Sequence, residues 1–84
     1  MRFTVVWVMF AQNELARIWN NASDRAAVTA AANRIDLLLQ RDPASKGESR
    51  GGSTRVLFET PLAVTFRVSE LDRQVYVLDV WRTR

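Results

Sequence analysis

The sequence contains no cysteine and no histidine among its 84 residues. Without cysteine there are no disulfides and no thiol chemistry, and this composition is compatible with a reducing, cytoplasmic setting. Without histidine, Ser-His-Asp and Cys-His triads, imidazole zinc sites and histidine proton transfer are excluded. Any catalysis must therefore use Arg, Lys, Asp, Glu, Tyr or Ser, and we predict neither a metal site nor a cofactor.

Long apolar runs are also lacking. None approaches the ~20 residues that a membrane-spanning helix needs. The apolar segment 2–8 lacks the small-residue cleavage site of a signal peptide. We therefore expect no association with a membrane. A chain of 84 residues is long enough for one core and too short for two, so we predict a single domain over residues 1–84.

Lysine is almost missing, because Lys46 is the only one among twelve cationic residues. The remaining cations are arginines, which suit bidentate recognition of phosphate or carboxylate. Residues 1–40 hold four basic and three acidic side chains, and residues 41–84 hold eight and six. The net charge of +3 is therefore spread over both halves of the sequence, and it does not by itself indicate a nucleic-acid partner.

Apolar periodicity predicts a strand over residues 2–8 and helices over 11–20 and 24–41. Ser23 is the expected N-cap of the second helix, and Pro43 ends that helix. We place Trp7 and Trp19 in the core. Residues 43–53 are polar and contain all three glycines, so they are predicted to form a loop.

Three alternating segments follow, at 54–59, 62–68 and 74–81, with turns at Thr60-Pro61 and at residues 70–73. Short connections make these strands an antiparallel meander. The predicted fold class is therefore α+β, in the order β-α-α-β-β-β, with two helices packed on one face of an antiparallel sheet.

The alternation also predicts which side chains the helices leave uncovered. Val56, Phe58 and Tyr76 are expected to face the helices. A last strand at the sheet edge, with Val75 and Val77 pointing outward, would make a homodimer plausible. The face opposite the helices is predicted to carry Arg55, Leu57, Glu59, Ala63, Thr65, Arg67, Asp79 and Trp81.

Several segments together resemble one known family. They are a first helix containing Asn13–Trp19, a second helix ending at Ile35–Leu39, and an Arg41-Asp42-Pro43 stop followed by a Gly/Ser/Arg loop. The strand segments 55–58, 64–68 and 75–80 complete the pattern. This order, length and spacing resemble the RelE/ParE toxin superfamily of type II toxin–antitoxin and plasmid stabilisation systems, over almost the whole chain.

The resemblance implies a cytoplasmic, growth-inhibiting toxin that a cognate antitoxin neutralises. Toxins similar to RelE cut messenger RNA in the ribosomal A site, whereas toxins similar to ParE bind and poison DNA gyrase. In the nuclease branch, cations on the exposed sheet face stabilise the transition-state charge, and a Tyr or His near the C-terminus assists proton transfer. Carried over to this sequence, the resemblance implies Arg55, Arg67 and Arg82 as catalytic residues. It implies Lys46, Arg50, Arg84 and Trp81 as nucleic-acid or target-binding residues.

Two departures from the family pattern favour gyrase binding over RNA cleavage. The second hairpin strand has Ala63 or Val64 where the family often has Arg, and neither Tyr nor His occurs in residues 82–84. A non-toxic relative that only binds an antitoxin is a third hypothesis. Structural roles also remain open at this point: Arg55 and Arg67 could pair with Glu59 or Asp79, and the other cations could be solvated. Trp81 could stack on a base, pack under an antitoxin helix or complete the core.

Overall fold

The computed structural model describes residues 2–84 as a five-stranded sheet with two helices on one face. The elements are β1 (Thr4–Trp7), α1 (Met9–Asn21), α2 (Arg25–Leu39), β2 (Glu48–Ser49), β3 (Thr54–Glu59), β4 (Leu62–Ser69) and β5 (Gln74–Arg82). The predicted α+β class and element order are confirmed, and both helices lie within two residues of their predicted bounds. The short strand β2 is an addition, because it lies within the predicted loop.

The two helices follow from the spacing of their apolar residues. In α2 the buried residues are Val28, Ala31, Ile35 and Leu39, which repeat every three to four positions on one side of the helix. The N-cap of α2 is Asp24 rather than the predicted Ser23. A carboxylate at this end is favourable because it lies near the positive end of the helix dipole.

The strand order is β1-β5-β4-β3-β2, and β1 pairs in parallel with β5, so the sheet is mixed rather than wholly antiparallel. All other pairs are antiparallel. The helical hairpin explains the difference, because α2 returns the chain to the end of the sheet where β1 begins. After the helices, the three strands of the meander alternate in direction, so β5 runs parallel to β1. Parallel neighbours need a long connection between them, and the helical hairpin supplies part of it.

The turn between β3 and β4 sets which side chains of β3 are covered. Its two residues place Glu59 directly opposite Leu62, and Leu57 opposite Val64. Leu62 and Val64 are buried in the core, so Leu57 lies in the core beside them. Directly opposed residues share a face of the sheet.

All five face predictions for β3 are therefore wrong. Arg55, Leu57 and Glu59 lie on the helix-covered side, whereas Val56 and Phe58 lie on the open face. The prediction chose which side of β3 faces the helices from the apolar–polar alternation of β3 alone, and both sides of this strand carry apolar residues. A shift of one residue moves every side chain of a strand to the other face.

A register shift in β5 changes its alternation too. Thr65 pairs with Asp79 and Phe66 with Val77, which leaves Leu78 as the extra residue of a bulge. Tyr76 consequently lies on the open face, and its predicted core position is wrong. Because β5 lies between β1 and β4, Val75 and Val77 are fully buried. The edge-strand reason for a homodimer is therefore wrong as well.

The core lies between the helices and the covered face of the sheet, around Phe66, Ile35, Leu39 and Leu62. Trp7 is half-buried and packs against this core, as predicted in part, whereas the predicted core position of Trp19 is wrong, because Trp19 is 40% exposed. Among residues 2–84, no helix is both long enough and apolar enough to cross a membrane.

Candidate functional site

Arg55 anchors the loop that precedes β3. Its Nε donates to the Lys46 carbonyl at 2.7 Å and its Nη2 donates to the Gly47 carbonyl at 3.1 Å. Gly47 has a φ of +65°, and a Cβ there would lie 2.2 Å from the Val56 carbonyl oxygen, so only glycine fits this close approach. The Arg55 guanidinium is therefore hydrogen-bonded to backbone carbonyls on the helix-covered side.

Arg82 joins the end of β5 to the start of α2. Its Nη2 lies 2.7 Å from Asp24 Oδ2, and the Asp24 side chain is 40% exposed. The hydrogen bond from Arg82 lowers the pKa of Asp24, and the carboxylate raises the pKa of Arg82. The other oxygen, Asp24 Oδ1, is covered and has no hydrogen-bond partner within residues 2–84.

The open face of the sheet carries Arg67 and Trp81, as predicted. The Arg67 guanidinium lies 4.8 Å from the centre of the Tyr76 ring, a cation–π contact. At the other end of this face, Trp81 and Phe58 lie on either side of Ala63 across neighbouring strands. Ala63 is fully buried although no helix covers it, whereas Phe58 is 51% exposed. The open face thus offers an aromatic surface, with Trp81 and Phe58 at one end and Arg67 against Tyr76 at the other.

The remaining predicted cations are dispersed. Lys46 Nζ donates to the Arg41 carbonyl at 2.9 Å, and Arg50 Nη1 lies 3.3 Å from Glu48 Oε1. Arg84 is exposed beyond the end of β5. The structure therefore brings Lys46 to Arg55, but it separates both from Arg67 and from Arg82. It does not assemble the predicted cations around one point.

The carboxylates considered with these arginines have other partners. Glu59 Oε1 lies 2.8 Å from Arg34 Nε on α2, not near Arg55. Asp79 Oδ1 accepts the backbone N–H of Val80 at 2.8 Å. No cluster of three or more His, Cys, Asp or Glu that could hold a metal ion occurs within residues 2–84.

A groove of about 790 Å³ opens on the helical side between β1, α1 and α2. Val5, Leu15, Val28 and Ala32 supply its apolar lining, and the amides and hydroxyls of both helices border it. Two tryptophans flank the groove and bind α2 through their indole N–H groups: Trp7 Nε1 donates to Asp36 Oδ1 at 2.8 Å, and Trp19 Nε1 donates to Thr29 Oγ1 at 3.1 Å. These bonds fix the two indole rings at the border of the concave apolar surface.

Two solved structures have the same overall fold. A chain of the RelBE2 toxin–antitoxin complex from Mycobacterium tuberculosis superposes with a TM-score of 0.76 at 19% sequence identity, covering 98% of this chain and 92% of that one. A chain of the chromosomal ParDE toxin–antitoxin system from P. aeruginosa gives 0.78 at 20% identity, covering 98% and 97%. The chain has the RelE/ParE-like fold. No family model and no curated protein sequence matches it.

The RelE/ParE-like fold presents a groove that the sequence did not single out and an open face that the sequence predicted only in part. The groove depends on Asp36 and on two tryptophans, Trp7 and Trp19, that were predicted to lie in the core. The aromatic surface depends on Phe58, which was assigned to the core. The two-residue turn at Thr60-Pro61 was an available signal for Phe58, because it fixes the register of β3. The groove had no local signal, since it forms only where three separate elements pack together.

Proposed function

We propose that this chain is the toxin component of a type II toxin–antitoxin module. It would act in the cytoplasm by binding a protein target such as DNA gyrase, and a cognate antitoxin would neutralise it. The observation that carries the proposal is the superposition of nearly the whole chain on chains from two toxin–antitoxin complexes. The target class comes from the resemblance to ParE-type toxins and from the arrangement of the cations.

Dispersed cations support binding without RNA cleavage. A phosphate-cleaving site gains its rate from several preorganised charges that converge on the reacting group. Here Arg55 is bonded to loop carbonyls and Arg82 to Asp24, whereas Arg67 lies on the opposite side of the sheet. We therefore propose Arg67 and Trp81 as contacts to the target rather than as catalytic groups.

The groove is our proposed site for the antitoxin. Apolar grooves between secondary-structure elements bind amphipathic helices of partner proteins. The alternative, an added strand along the free edge of β1, has little room. Gln40 already accepts the Phe3 N–H at 2.9 Å, and Gln12 donates to the Trp7 carbonyl at 2.7 Å. These bonds occupy both ends of a four-residue strand, so a helix in the groove is favoured.

Induced expression in a bacterial host tests the proposal. We expect growth to stop when the chain is produced alone and to resume when the product of the adjacent reading frame is co-expressed. Purified protein should inhibit gyrase-catalysed supercoiling, and Arg67→Ala should weaken this inhibition at least several-fold. Arg17→Gln on α1 is the matched control, because Arg17 lies away from the open face.

Two outcomes would contradict the proposal. Unaffected growth would indicate a non-toxic relative that only binds an antitoxin. Growth arrest with A-site cuts in primer extension of translated messenger RNA, lost in Arg67→Ala, would indicate the nuclease alternative.

A further inference from the structure

The protein's entire net charge lies at one end of the molecule. This basic end comprises the N-terminal ends of β1, β3 and β5, the C-terminal end of α2, and the loops beside them. It holds seven cations and four carboxylates, a balance of +3. The residues are Arg2, Arg41, Lys46, Arg50, Arg55, Arg67, Arg73, Asp42, Glu48, Glu70 and Asp72. The rest of the molecule holds five cations and five carboxylates and is neutral.

Backbone contacts hold the cations of the basic end together. The bond from Phe3 N to the Gln40 carbonyl, 2.9 Å long, joins the start of β1 to the end of α2. Arg2 directly precedes Phe3 and Arg41 directly follows Gln40, so this bond brings the backbones of the two arginines close to each other. Lys46 reaches the Arg41 carbonyl, and the Arg73 guanidinium lies 5.3 Å from the centre of the Phe3 ring.

Most of these cations lack a carboxylate partner. Four ion pairs occur within residues 2–84, and three of them lie in the neutral part of the molecule. At the basic end only Arg50 has a carboxylate within 4.0 Å, that of Glu48, among the described residues. Of the six others, Arg55 and Lys46 donate to backbone carbonyls, and Arg67 lies against Tyr76 on the open face. The cations left to meet an external anion are Arg2, Arg41 and Arg73, and Asp42, Glu70 and Asp72 moderate the local potential.

The apolar groove leads directly to the basic end. Val5 in the groove is two residues from Phe3, and Asp36 is four residues, about one helical turn, from Gln40. The Phe3–Gln40 bond lies beyond these lining residues, and Arg2 and Arg41 are adjacent to it in the sequence. A segment that leaves the groove at this end therefore passes over Arg2 and Arg41.

We propose that the basic end binds the acidic end of the same polypeptide segment whose apolar face fills the groove. The inference rests on the proposed function, which supplies an antitoxin segment as the occupant. An apolar groove continuous with a cationic surface favours a polypeptide over a nucleic acid, because only a polypeptide carries both apolar and anionic side chains. Carboxylates fit these arginines because guanidinium groups bind them in bidentate fashion. Asp36, at the groove's end, would disfavour acidic residues any deeper in the groove.

Selection from a phage-displayed library of random 20-residue peptides, panned on the purified protein, tests this inference. Selected peptides should combine apolar residues at helical spacing with an excess of Asp and Glu at one end. Two charge-matched double variants then locate the acidic contact. Arg2→Gln/Arg41→Gln removes two charges from the basic end, and Arg17→Gln/Arg34→Gln removes two from the neutral part. The selected peptides should bind the first variant about two- to tenfold more weakly and the second with unchanged affinity.

Several results would overturn the inference. They are selected peptides without an acidic end, equal weakening by both double variants, and no peptide binding at all. A 20-nucleotide single-stranded DNA that bound more tightly than the peptides, and lost affinity only with Arg2→Gln/Arg41→Gln, would assign the basic end to nucleic acid instead. Failure of the proposed function is distinguishable, because it appears as normal growth when the wild-type chain is expressed alone.

Discussion

At the N-terminus of α2, the Asp24 carboxylate binds Arg82 rather than the helix's own N–H groups. The ion pair connects residues 58 positions apart in the sequence, at the end of the molecule away from the basic end. The pair lies at the surface, where solvent and salt weaken it. Its significance is geometric: it fixes the end of the last strand against the helical hairpin.

The Asp24–Arg82 pair predicts a pH-dependent contribution to stability. Because Arg82 lowers the pKa of Asp24 in the folded state, the contribution is present above the unfolded-state pKa of about 3.9 and is lost as the pH falls through the folded value. Thermal melting of wild type and Arg82→Gln should therefore differ at pH 7 and converge in acid below pH ~4. Arg84→Gln is the control and should match wild type throughout. A difference that persists or grows in acid would contradict this assignment.

Among the elements, β3 shows how a turn can decide the orientation of a whole strand. Its sequence, Thr54–Glu59, has apolar and polar residues on both sides, so alternation alone leaves its phase undecided. The pairing of Glu59 with Leu62 settles the phase by placing β3 in register with the strongly apolar β4. Leu57 is thereby 9% exposed and Phe58 is 51% exposed.

Alanine substitutions at these neighbouring positions should differ sharply. Leu57→Ala should lower the free energy of unfolding by about 2–5 kcal/mol, because it leaves a cavity in the core. Phe58→Ala should lower it by about 1 kcal/mol or less, since most of the ring's partners are open-face atoms and water. Urea denaturation of the two variants measures both values. A larger loss for Phe58→Ala would mean that β3 has the opposite phase.

On the scale of the whole molecule, the open face and the groove lie on opposite sides of the sheet. The proposed target contacts, Arg67 and Trp81, are on the open face, and the proposed antitoxin site is among the helices. An antitoxin in the groove would therefore not have to displace the target by direct overlap. A substitution in the groove should therefore be able to abolish antitoxin binding without affecting target binding.

A bulky charge in the groove tests this separation. Ala32 lines the groove, whereas Ala30 is exposed on the opposite side of the same helix. Ala32→Arg should leave growth arrest intact and abolish rescue by the antitoxin, because it fills the groove and buries a charge under the partner. Ala30→Arg should preserve both arrest and rescue. Rescue of Ala32→Arg as efficient as that of wild type would exclude the groove as the antitoxin site.

The sequence predicted both helices and the meander because each has a periodic apolar pattern of sufficient length. It predicted the open-face positions of Ala63, Thr65, Arg67, Asp79 and Trp81. It placed Arg55 on the wrong face, because the face of that residue depends on pairing across a turn. It placed Tyr76 on the wrong face, because a bulge shifts the alternation of β5 by one residue. The environments of Trp7 and Trp19 depend on how closely the helices approach β1, which local patterns do not encode.

The sequence by itself determined the α+β class, the order of the elements and the chemistries that are excluded, because composition and local periodicity are properties of neighbouring residues. Only the tertiary structure decided where the charges lie. Along the chain the two halves carry +1 and +2, whereas in the folded molecule one end carries +3 and the rest is neutral. The physical reason is that α2 and the meander bring Arg2, Arg41 and Arg73 together from three distant segments, and electrostatic attraction depends on distance in space.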